Sequence, residues 1–148
     1  MVTRNISPGQ FASKDPRGIR FVSRIPCLAC DDGVETGVFA WVDLGSGSVN
    51  NAHSGTRSKL GFVRPLAERA HVSEFCSIVP PGREVTLASG GDFYACFPDG
   101  AEKGQSVYAS LIDGTPISGE TPDAELTPWV VAVGCAPGGL AVISTWSK

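Results

Sequence analysis

The sequence predicts an all-β protein, a compact sandwich or barrel of jelly-roll-like character with an extended N-terminal arm. Three observations carry this. Glycine (18) and proline (11) make about a fifth of the 148 residues and are spread along the chain, as short strands joined by turns require. Short runs of aromatic, β-branched and other apolar residues recur between Gly, Pro, Asn and Asp punctuation. No internal repeat and no heptads appear. The length suits one domain and is enough for a hydrophobic core without disulfides or metals.

Residues 1–36 read as the arm. Pro8, Gly9, Pro16, Gly18, Pro26 and Gly33 interrupt it, and Arg4, Lys14, Arg17, Arg20 and Arg24 stand against one acid ahead of Asp31. Segments of this kind lie along another surface or stay mobile, which makes these five cations candidate contacts to a partner.

Residues 37–148 read as a single β-rich domain. Residues 37–43 (GVFAWVD) form the first convincing strand, followed by polar loop residues at 45–51 and an exposed loop at 49–59. Residues 60–64 (LGFVR) make a short strand. Residues 65–77 fit a helix, with Pro65 in its first turn, or equally a strand. Pro80-Pro81-Gly82 is a turn, because proline fixes φ and glycine permits φ > 0. Residues 83–88 alternate polar and apolar, Ser89-Gly90-Gly91 turns the chain and 92–97 return it, giving an expected hairpin. Residues 105–112 are a strand closed by Asp113-Gly114, and 115–126 are polar, acidic and turn-rich. Residues 129–134 and 140–145 pair across the linker 135–139 as a second hairpin. Their continuous apolar runs imply strands covered on both faces.

Charge and chemistry exclude several classes. Charged residues are 18% of the chain and hydrophobic residues 42%, with a net charge of −3, so the chain as a whole offers no basic surface for nucleic acid. Residues 1–83 carry ten Lys/Arg and seven acids, net +3; residues 84–148 carry two and eight, net −6. That polarity suits docking or head-to-tail contact. The start MVTRNISPGQ lacks the apolar core of a signal peptide, and no apolar run approaches the ~20 residues that span a bilayer. The expected setting is therefore the cytoplasm, where the five cysteines stay reduced.

Cys27 and Cys30 form a CxxC pair, but Cys76, Cys96, Cys135, His53 and His71 supply no second pair at zinc-binding spacing, and Asp31-Asp32-Gly33 puts a turn where a redox motif needs a helix. His53 and His71 accompany no nucleophile signature. Gly45-Ser-Gly-Ser lacks the lysine and helix of a phosphate loop. No catalytic residue, metal or cofactor is expected. Trp41 and Trp129 sit in strong strands and read as core; Trp146 reads as an interface aromatic.

Several phrases, taken in order, resemble the phage structural cement proteins of the Gp24-like group. They are 37–43, Val49-Asn-Asn51 with His53-Ser-Gly55, 60–64, 78–82 (IVPPG) with Val85-Thr-Leu87, Gly90-Gly-Asp-Phe93, and 104–109 (GQSVYA) with Asp113-Gly-Thr115. The resemblance spans roughly residues 8–145. It implies a non-enzymatic protein on the capsid exterior, made in the host cytoplasm, that binds the major capsid protein lattice and bridges neighbouring subunits as a homo-oligomer, dimer or trimer, without nucleic acid or membrane. Rival classes are a virion-displayed host-surface or glycan-binding β-module, and a small hydrolase using Cys76 or Cys96 with His71.

Overall fold

The structure, a computed structural model, describes residues 20–21, 28–30, 33–53, 58–63, 78–83, 85 and 87–145. Among the described residues every regular element is a strand, as the sequence predicts. In chain order they are β1 (Arg20–Phe21), β2 (Leu28–Ala29), β3 (Val34–Glu35), β4 (Phe39–Asp43), β5 (Ser48–Asn50), β6 (Ser58–Val63), β7 (Ile78–Val79), β8 (Leu87–Gly90), β9 (Asp92–Phe97), β10 (Ser106–Ser110), β11 (Pro116–Ile117), β12 (Ala124–Val133) and β13 (Gly139–Ser144).

They build three layers. A six-stranded sheet runs β1-β8-β6-β4-β5-β2, a five-stranded sheet runs β11-β10-β12-β13-β9, and β3 pairs with β7. The five-stranded sheet curls until its edge strands β9 and β11 approach one another. There the Ser118 hydroxyl donates to the Gly100 carbonyl at 2.8 Å. The result is a sandwich close to a closed barrel, which shields the edges that an open sheet would leave.

Strand β4 explains the layering. Phe39 and Trp41 join Phe62, Phe93, Trp129 and Ile143 in one core between the two large sheets. Ala40 and Val42 point the other way, into a second core with Val34, Val49, Val63, Val79 and Leu87. Successive side chains of a strand face opposite sides, so a run of four apolar residues needs cover on both. In the first core, Phe39 lies edge-on to Phe62 at 5.1 Å and to Trp129 at 5.5 Å, and Phe62 meets Phe93 at 5.0 Å. Such pairs add to the area they bury.

Local polar devices fix the join between layers. The Phe39 N–H donates to Gly114 O at 2.9 Å, so the β10–β11 turn docks on the start of β4. The Asn51 amide donates to Phe39 O at 3.0 Å and to Glu35 O at 3.3 Å, and its Oδ1 accepts from the Glu35 N–H at 2.7 Å. Gly114 has φ 75°, and a Cβ there would overlap Phe39 O. A second device lies in β12, where the register against β10 shifts between Ser106 and Tyr108. Pro128 has no N–H to give. The buried Thr127 hydroxyl instead donates to Val107 O at 2.8 Å and accepts from the Trp129 N–H at 3.1 Å. This irregularity is what admits proline to a central strand.

Three expectations are corrected. Residues 83–97 are not a hairpin: β8 belongs to the six-stranded sheet and β9 to the five-stranded one. The chain switches sheets at Gly91 (φ 124°), whose N–H donates to Thr145 Oγ1 and whose carbonyl accepts from Trp129 Nε1, both at 3.0 Å. The stretch 45–59 is not all exposed loop, since Ser48–Asn50 is a strand with Val49 fully buried. Residues 115–126, read as turn-rich, keep bends and turns at 118–119 and 122–123 between β11 and the start of β12. The runs expected to be covered on both faces are not: in β12 and β13 Trp129, Val131, Ala141 and Ile143 are buried while Val130 and Val142 are half-buried and Val133 is exposed. The expected β12–β13 hairpin is present, with Val131 opposite Ile143.

Within residues 1–36, β1 pairs with β8, β2 runs parallel to β5, and β3 pairs with β7. The boundary expected at residue 37 therefore follows three strands already hydrogen-bonded into sheets. Residues 65–77 lie outside the described residues.

The Gly114 contact predicts an ordering of substitutions. Gly114→Ala combines φ strain with overlap and should cost about 2 kcal/mol or more, lowering Tm by about 4–8 °C. Gly82→Ala, with φ 77° but open space around a Cβ, should cost about 1 kcal/mol. Asn51→Ala should cost about 1–3 kcal/mol. Thermal melts that rank Gly82→Ala as equal to Gly114→Ala would contradict the close approach.

Candidate functional site

Among the described residues, those singled out for chemistry meet in two pairs, Trp41 with His53 and Cys96 with Cys135. Trp41 is 2% exposed and Trp129 1% exposed, both core, as expected. Trp41 Nε1 donates to Glu125 Oε1 at 3.3 Å, and His53 lies edge-on to its ring at 5.4 Å. His53 is exposed, and its N–H donates to Leu111 O. Cys30 is a free thiol that donates to Gly33 O at 3.3 Å. Cys96 and Cys135 are free and half-buried; Cys96 donates to Gly138 O at 3.7 Å. Burial pushes the Cys96 thiol above its ordinary pKa, and neighbouring Cys135 pushes the same way. Among the described residues no three His, Cys, Asp or Glu side chains gather to hold a metal ion, and no helix is long and apolar enough to cross a membrane.

Of the expected contact cations, Arg20 lies in β1 opposite Gly90. Arg4, Lys14, Arg17 and Arg24 lie outside the described residues, as do Trp146, Cys27, His71 and Cys76.

What the fold does assemble is a surface. The outer face of the five-stranded sheet carries Tyr94, Tyr108, Val130 and Val142, all half-buried, with Leu126 and Val133 each 57% exposed. Register places them together: Tyr108 stands opposite Leu126, and Val142 stands opposite both Val133 and Tyr94. The turns bordering this sheet expose Asp99, Glu102, Asp113, Glu120 and Asp123. Sequence reading missed this face because the β12 and β13 runs looked doubly covered.

The described residues thus form a layered β-body whose five-stranded sheet presents apolar side chains on its outer face. The chain has the fold of a protein in a solved structure titled "The capsid of Myoviridae Phage XM1", with a TM-score of 0.68 at 14% identity, over 97% of this chain and 94% of that one. The class is that of phage capsid structural proteins. More narrowly, the chain belongs to the XM1 gp53 minor capsid protein family, whose model matches residues 2–145. A search of curated proteins found no match. Membership makes the chain a component of the virion.

The thiol environment has a measurable consequence. Below its raised pKa, Cys96 holds less thiolate than an ordinary cysteine. In native protein at pH 8, iodoacetamide should modify Cys96 more slowly than the same cysteine in urea, and the gap should narrow as pH rises. Equal rates, read by peptide mass spectrometry, would contradict the burial.

Proposed function

We propose that this chain is a cement protein of a phage head, binding the outer surface of the major capsid protein lattice and bridging neighbouring subunits as a homo-oligomer. The observation that carries this reading is the family match over residues 2–145. The three-layer body with two cores supports it, since a bridging element must resist deformation where a shell is loaded at its seams. A protein that binds the assembled lattice and not free subunits stabilises the shell by mass action. An oligomer adds contacts by multivalency, so modest individual affinities give firm retention. No catalytic step is part of this role, and the protein works from the capsid exterior after synthesis in the host cytoplasm.

The cations Arg4, Lys14, Arg17, Arg20 and Arg24 are the proposed capsid contacts, and Trp146 the proposed interface aromatic. Because Arg20–Phe21 is paired to β8, the reach of the arm belongs to the residues before it. A glycan-binding reading has less support, since Trp41 and Trp129 are used in the core.

Heads assembled without the protein should lose DNA at a lower temperature than complete heads, and purified protein added back should restore the midpoint. A midpoint unchanged by its absence would contradict cementing. Deleting residues 2–18 should leave a folded protein that no longer co-sediments with heads; full occupancy by the truncated form would contradict a contact role for the arm.

A further inference from the structure

An antiparallel sheet with one face in water ordinarily alternates apolar residues toward the core with polar residues toward solvent. The five-stranded sheet breaks that rule at its centre. Strand β12 is the middle strand of the order β11-β10-β12-β13-β9. It buries Thr127, Trp129 and Val131, and it leaves Leu126, Pro128 and Val133 exposed and Val130 half-buried. Tyr108 stands beside Leu126 on β10; Val142 stands beside Val133 on β13, with Tyr94 of β9 on its other side. The charge lies at the periphery. Among residues 92–145 the exposed ionisable side chains are Asp99, Glu102, Lys103, Asp113, Glu120 and Asp123, five acids and one base. All six stand in the turns between strands. An apolar centre inside a polar rim is the anatomy of a protein–protein interface, and here the rim is acidic.

The sign of the rim decides the kind of partner. Two copies meeting through this face would set acid against acid in a partly desolvated contact, which disfavours the pair. Nucleic acid and anionic lipid are repelled by the same rim. The surface that fits is a protein surface with apolar side chains at its middle and lysine or arginine around them.

We infer that this face is the seat of the body on the shell, docking on a major capsid subunit at an apolar patch rimmed by basic side chains. The inference rests on the cement reading and adds which face of the body grips and what chemistry it grips. Leu126 and Val133, each 57% exposed, are its apolar anchors, and Glu120 and Asp123, in the turn that leads into β12, belong to its steering rim. The cations proposed for the arm are left for a second, unlike contact, as a bridge between two subunits requires.

The test measures binding of the full chain to heads assembled without it, at ~0.05 M and ~0.5 M salt, where the screening length differs about threefold. Binding should weaken at the higher salt. Leu126→Asp and Val133→Asp should each raise Kd about tenfold or more without changing the circular dichroism spectrum. Glu120→Lys with Asp123→Lys should slow association and remove much of the salt dependence. Ile78→Asp, at a 58% exposed position on β7 away from this face, should bind as the wild type does. Face variants that bind like the wild type, an equal loss from Ile78→Asp, or binding that tightens at high salt would each overturn the inference. The cement reading would then still stand, provided the wild-type chain binds heads and stabilises them. A wild-type chain that binds no heads would overturn both. If sedimentation equilibrium of the free chain shows a dimer that Leu126→Asp abolishes, the face belongs to a second copy and the seat on the shell falls.

Discussion

Strand β4 is buried on both faces, and the order of the layers follows from it. Phe39 and Trp41 enter the aromatic core against the five-stranded sheet, and Ala40 and Val42 enter the valine-rich core under β3 and β7. Burying a large apolar side chain contributes about 1.5–3 kcal/mol, so neither face can be left open without losing much of the stability of a small domain. The strand is also held at its start. Gly114 accepts the Phe39 N–H and the Asn51 amide caps the Phe39 carbonyl. The Gly114 bond ties the five-stranded sheet to the start of β4, while the Asn51 bonds close β4 and β3 within their own side of the fold.

How much of this was legible depended on whether the signal was local. The strand at Phe39–Asp43, the Pro80-Pro81-Gly82 turn and the β12–β13 hairpin could be read because their neighbours in sequence are their partners in space. The sheet switch at Gly91 could not, since Ser89-Gly90-Gly91 suits a hairpin as well as a corner and only the pairing of β9 with β13 decides. Val49 stood alone among polar residues and gave no strand pattern. Asn51 and Thr127 looked like loop and strand polar residues. Their roles as clamps on Phe39 and Val107 rest on partners 12 and 20 residues away.

The candidate site was legible in charge and not in shape. The split between a basic first half and an acidic second half was visible in composition. The apolar face was not, because continuous apolar runs in β12 and β13 read as doubly covered when alternation alone cannot tell a covered face from one awaiting a partner. The run that is doubly covered is Phe39-Ala-Trp-Val42. The difference matters for function, since a half-exposed apolar sheet face is available to a partner.

The proposed bridging of subunits on the outside of the shell is tested most directly by a cryo-electron microscopy reconstruction of the mature head. Density for the three-layer β-body is expected on the outer surface, straddling a boundary between neighbouring major capsid subunits. Density confined to the footprint of one subunit, or lying on the inner surface of the shell, would contradict it.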